Sequence, residues 1–156
     1  MNALVRFGYR VAYWCARAWW FVRRPQTHGA AVALWSGGRL LLVKTCYRAR
    51  YVLPGGFVGG HEDAREAASR ELLEEVGVDV RPSDLRLACE HTLFLEHHHD
   101  TLTIFETEVS PEPRVEASGR ELIWIGWKTA EEAEALPLLS RHLRAYLAQR
   151  SSRRAT

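Results

Sequence analysis

At 156 residues, with 47% apolar and 26% charged side chains, the chain is long enough to bury one core and is expected to form one compact folded domain. Its formal net charge of +2 gives no argument for a nucleic-acid partner. Three scattered cysteines, Cys15, Cys46 and Cys89, make neither a disulfide framework nor a zinc site, and they fit reduced thiols in a cytoplasmic protein.

In chain order, residues 1–24 are expected to form an amphipathic N-terminal helix. Arg6, Arg10 and Arg17 interrupt each apolar run, so no uncharged stretch of about 20 residues is available to cross a bilayer, and no cleavable leader is expected. At about 100° per residue, Arg6, Arg10, Arg17 and Arg24 fall within a narrow stripe, and Leu4, Phe7, Val11, Trp14, Ala18 and Val22 lie on or near the opposite side. Aromatics and arginines in this arrangement suit a helix lying on a membrane surface. Packing on the helix's own domain, or on a second subunit, satisfies the same pattern.

The main domain is expected over residues 27–149. His28 to Leu34 reads as a strand, Ser36-Gly37-Gly38 as a tight turn and Arg39 to Lys44 as the hairpin partner. A polar loop from Thr45 to Arg50 leads to a short strand at Tyr51–Leu53, which Pro54-Gly55-Gly56 stops. Asp63, with Glu66 three residues on, predicts a capping box that starts a helix over 64–76, and Gly77 is placed to end it. Arg86 to Glu96 and Thr101 to Val109 are strand-like, with His97-His98-His99-Asp100 as the turn between them, and His91 is a strand histidine. Glu121 to Trp127 is a further strand. Thr129 and Glu132 cap a helix that Pro137 breaks, a second helix covers about 138–149, and residues 150–156 make a basic disordered tail. The sum is an α/β domain, a mixed sheet with helices on its faces.

On the 64–76 helix, Glu71, Glu74 and Glu75 stand at i, i+3 and i+4, which brings three carboxylates onto one face. Ala64, Ala67 and Ala68 share that face and leave it bare, as a site admitting a cation and a substrate would need. Oxygen-only ligands suit a hard ion, and Mg²⁺ takes one or two carboxylates plus water and phosphate oxygens. A solvated acidic helix surface has the same triplet, so the triplet alone leaves both open.

The surrounding residues add the decisive pattern. From Gly56 the chain runs GFVGGHEDAREAASRELLEEVGV, which resembles the Nudix box, G-x5-E-x7-R-E-U-x-E-E-x-G-U with U apolar. Gly56, Glu62, Arg70, Glu71, Leu72, Glu74, Glu75, Gly77 and Val78 occupy every fixed position. A chance match over this chain has a probability on the order of 10⁻⁶. The resemblance implies a Nudix-type α/β/α sandwich and hydrolysis of a phosphoanhydride bond in a nucleoside diphosphate linked to another group X. It further implies Mg²⁺ (or Mn²⁺) held by Glu74, Glu75, Glu71 and the Gly56 carbonyl, with Glu71 as either a ligand or the base. Glu62 and Arg70 would brace the loop against the helix. Family members often form homodimers, which leaves a homodimer open, and a catalytically silent nucleotide-binding module or a membrane-peripheral hydrolase are the competing readings.

Some Nudix enzymes take their base from a loop outside the box, where Glu116 and Glu121 are the candidates. Lys44, Arg48 and Arg50 could reach substrate phosphates, and Tyr47 or Tyr51 could stack on a base. The proline that marks many ADP-ribose-cleaving members is missing between Ser83 and Ser110. The tyrosine of many dinucleoside polyphosphate hydrolases is missing too. These absences lower both assignments without selecting a third.

Overall fold

Eight successive buried residues, Gly29 to Ser36, put β1 (Gln26–Ser36) at the centre of a sheet covered on both sides. The computed structural model describes residues 3–23, 26–95, 98–116 and 121–154. Gly37 and Gly38 both have positive φ, 53° and 77°, as a two-residue hairpin turn requires, and Ser36 pairs with Arg39 at the start of β2 (Arg39–Thr45). The strands run β4 (Arg86–Leu95), β5 (His98–Glu108), β1, β2, β6 (Leu122–Lys128), and the short β3 (Gly55–Phe57) joins β1 outside this order. β1 and β5 are parallel and the other pairs antiparallel, so the sheet is mixed as expected.

Alternation along the central strands divides the core in two. Ala30, Val32, Leu34, Leu41, Val43 and Phe105 pack beneath α2 (Ala64–Val76) through Ala67, Ala68, Leu72 and Val76. Ala31, Ala33, Trp35 and Ile104 face the other way, toward α4 (Arg141–Arg154) with Leu143, Tyr146 and Leu147, and toward the short α3 (Ala130–Glu134) at Ala133. One helix on one face and two on the other make the α/β/α sandwich. Asp63 caps α2 by accepting from the Arg65 and Glu66 amides, and Gly77 ends it at φ 75°. The reciprocal capping box forms at Thr129 and Glu132.

Four expectations are corrected. Tyr51–Leu53 makes two isolated bridges, to Leu139 and Val43, instead of a strand, whereas the Gly55-Gly56 segment, read as a stop, is itself strand β3 on Ala30 and Ala31. The histidine turn is also displaced, because parallel pairing with β1 extends β5 back to His98. Within it, Asp100 accepts from the Thr27 hydroxyl at 2.6 Å and faces the buried His142 at 3.3 Å, while His97 lies outside the described residues. The tail is helical through Arg154, since Arg150 bonds Glu106 at 2.6 Å and Arg153 bonds the Ala88 carbonyl at 3.1 Å; residues 155–156 lie outside the described residues. Finally, Ala67 and Ala68 do not line an open stripe. They are fully buried, and their small size lets α2 lie close on β1.

The N-terminal helix is present as α1 (Ala3–Arg23), and residues 1, 2 and 24 lie outside the described residues. Its contact with the domain runs through Tyr9 and Tyr13, whose rings lie 6.5 and 5.1 Å from that of Tyr47. Among the described residues no helix is long and apolar enough to cross a membrane.

Candidate active site

The site is built where α2 crosses β3. Gly55 has φ 155°, and a Cβ there would stand 2.3 Å from the Ala30 carbonyl oxygen, so only glycine lets this strand approach β1. At Gly56 a Cβ would fall 2.4 Å from the Glu71 carboxyl carbon. The backbone of β3 therefore lies directly against the acidic turns of the helix. The Gly55 amide donates to Glu75 Oε2 at 2.9 Å, a bond invisible to a reading that treated Gly55 as a turn residue.

The three helix carboxylates differ in environment. Glu75 is 8% exposed, and burial pushes its pKa to about 8, with Glu121 and Glu71 adding to the rise against the Gly55 amide and Arg48. The Glu71 side chain is 18% exposed; burial also raises its pKa, opposed by Arg70 and reinforced by Glu74 and Glu121. The Glu74 side chain is 59% exposed and lies 3.4 Å from Arg70 Nη1.

Arg70 is the hub of the loop. Its Nε and Nη2 donate to the two Glu62 oxygens at 2.9 and 3.1 Å, its Nη1 to Glu71 at 2.6 Å, and its Nη2 to the Phe57 carbonyl at 3.4 Å. Glu62 also accepts from the Gly59 amide at 3.1 Å, and the Arg70 hydrogen bonds hold its pKa down to about 2. The guanidinium thus ties the loop to the helix and presses on Glu71 at once.

Of the two loop glutamates, Glu121 comes to this centre. Its charge acts on both Glu71 and Glu75, and its Oε1 accepts from the Tyr47 hydroxyl. Burial, then the Glu121 charge and bond, push the Tyr47 pKa up. Glu116 is exposed, with its amide on the Val76 carbonyl at the C-terminal end of α2. Arg48 lies over the Tyr13 and Tyr47 rings and also acts on Glu75. Lys44 instead sits over the Tyr51 ring, and Tyr51 packs edge-on against Trp124 within the α4-side cluster, on the sheet face away from α2. Arg50 is exposed. A cleft of about 180 Å³ beside Glu106, Tyr146 and Arg150 belongs to the α4 packing seam, where those side chains bond one another.

A buried carboxylate at Glu75, a half-buried one at Glu71, a third acidic group beside them and few opposing donors make an electron-rich, under-neutralised centre that suits a hard cation. Among the described residues no three His, Cys, Asp or Glu side chains converge to ligate one ion by themselves.

A family model for the NUDIX domain matches residues 25–149. Among solved structures, the MutT protein of Methanosarcina mazei superposes with a TM-score of 0.75 at 20% identity, covering 86% of this chain and 99% of that one. The MutT NUDIX hydrolase of Burkholderia pseudomallei gives 0.69 at 24%, covering 80% and 98%. An Ap4A hydrolase of C. elegans gives 0.67 at 22%, covering 83% and 98%. The NUDIX domain of Shewanella oneidensis NrtR, complexed with ADP ribose, gives 0.70 at 16%, covering 87% and 97%. No curated protein sequence matches the chain.

Proposed function

The chain belongs to the Nudix family of pyrophosphohydrolases, and from that premise we infer that it cleaves a phosphoanhydride bond in a nucleoside diphosphate linked to a further group, with water as nucleophile and Mg²⁺ (or Mn²⁺) as cofactor. The observation that carries this reading is the pair of inward carboxylates, Glu71 and Glu75, held against the Gly55-Gly56 backbone. Glu71, Glu74, Glu75 and the Gly56 carbonyl would hold the cation. When bound, such an ion neutralises the diphosphate and acidifies a water molecule.

The remaining roles fall to this chain's own groups. Arg70, anchored on Glu62, keeps Glu71 turned inward, and Gly77 ends the helix that carries the set. Glu121, oriented by the Tyr47 hydroxyl, is the base that takes the proton of the attacking water. That water forms the new P–O bond as the bridging P–O bond breaks and the second phosphate departs. Arg48, whose charge already reaches Glu75, supplies positive charge for a substrate phosphate. Nucleotide derivatives named for the structural neighbours, Ap4A and ADP ribose, are in keeping with the proposed substrate class without selecting a member.

The test is a panel of nucleoside triphosphates, nucleotide sugars, ADP-ribose and dinucleoside polyphosphates with Mg²⁺, run beside Glu75→Gln. The glutamine retains an oxygen for the Gly55 amide, so the variant should fold normally while turnover falls more than about 100-fold, since even outer-shell partners of metal ligands are worth 10–100-fold. Wild-type rates in a folded Glu75→Gln protein would refute the site.

A further inference from the structure

We propose that α1 is a docking helix for an anionic lipid bilayer, which holds the candidate site beside the membrane surface. The helix is turned the opposite way from a helix that serves its own core. Leu4 is 81% exposed, Phe7 65% and Trp14 63%, and Val11, Trp19 and Phe21 are exposed with them. Over 21 residues this makes an outward apolar face about 30 Å long. The domain takes the opposite edge, through the Tyr9 and Tyr13 rings on Tyr47 and through Arg48 over the Tyr13 ring.

The charges select the occupant. Arg17 lies 5.2 Å over the Trp14 ring of the apolar face, Arg6 and Arg10 share its stripe along that edge, and no aspartate or glutamate precedes Glu62 in the chain. A second copy laid on the same face would bring arginine edges together with no acidic group on either helix to answer them. Anionic headgroups supply that counter-charge, and tryptophan and phenylalanine rings suit the boundary between headgroups and acyl chains. Because Tyr47 bonds Glu121, and Arg48 lies over Tyr13 and acts on Glu75, the docked helix connects to the proposed catalytic centre.

Vesicle flotation of the full chain tests this without any assay of hydrolysis, so its outcome is separate from that of the proposed activity. The chain should float with phosphatidylcholine vesicles containing about one third phosphatidylglycerol and stay behind with pure phosphatidylcholine. Arg10→Ala should weaken binding about fivefold. The double variant Phe7→Glu/Trp14→Glu, which alters only exposed positions, should abolish flotation while its circular dichroism stays native. Equal flotation on both vesicle types overturns the proposal, as does flotation that the double variant leaves unchanged. A dimer in solution that the double variant splits, with vesicles unbound, would make the occupant a second copy and overturn it equally.

Discussion

Arg70 and Glu62 show how one residue pair can be both a structural clamp and a control on the acidic centre. Their two-pronged bond lowers the Glu62 pKa from its ordinary 4.5 to about 2. A carboxylate with a depressed folded-state pKa adds stability that is complete above its unfolded value and drains away as pH falls through the folded one. Glu62→Gln should therefore lower the thermal midpoint at neutral pH, and its deficit relative to wild type should shrink between pH 4.5 and about 2. A deficit that persists unchanged down to pH 2 would show that the clamp is not the source. At the same scale, the box motif located Glu71 and Glu75, but only the surroundings distinguish them from Glu74. Burial of the first two comes from the turn of α2 that faces β3, and periodicity cannot say where a neighbouring strand will lie.

At the scale of elements, α2 depends on small residues where it crosses β1. Ala68 is fully buried against the sheet, so Ala68→Leu inserts three carbons into a filled core and should cost about 1–3 kcal/mol by overpacking. An open, substrate-facing alanine would tolerate the change; chemical denaturation separates the two cases. α4 makes the complementary point. Trp35 Nε1 donates to the Tyr146 hydroxyl at 2.8 Å, that hydroxyl donates to Glu106 at 3.1 Å, and Arg150 bonds Glu106 while lying 4.2 Å over the Trp35 ring. Arg150→Ala should cost about 2 kcal/mol, whereas truncating a loose tail would cost nothing. The polar composition of 150–154 gave no hint of this, because its partners lie on β4 and β5.

For the whole molecule, the prediction concerns linkage between the cation and the fold. An ion that binds only the assembled α2–β3 centre must raise stability by mass action, so Mg²⁺ at about 100 times its Kd should add about 2.7 kcal/mol of unfolding free energy. The thermal midpoint should rise in wild type, return with chelator and stay flat in Glu75→Gln. A rise of equal size in the variant would place the binding elsewhere.

The sequence by itself determined the elements whose signals are local: the glycine hairpin, the capped helix from Ala64 to Val76, and the box that spaces the glutamates. Each depends on backbone preference or on residues within a turn or two, which a string of letters contains in full. Tertiary structure alone decided the rest: the partnering of β3 with β1, the Gly55 amide on Glu75, the approach of Glu121 rather than Glu116 to Glu71 and Glu75, and the outward aspect of α1. All of these arise from segments far apart in the chain, whose meeting is set by which surfaces the assembled sheet leaves free to bury.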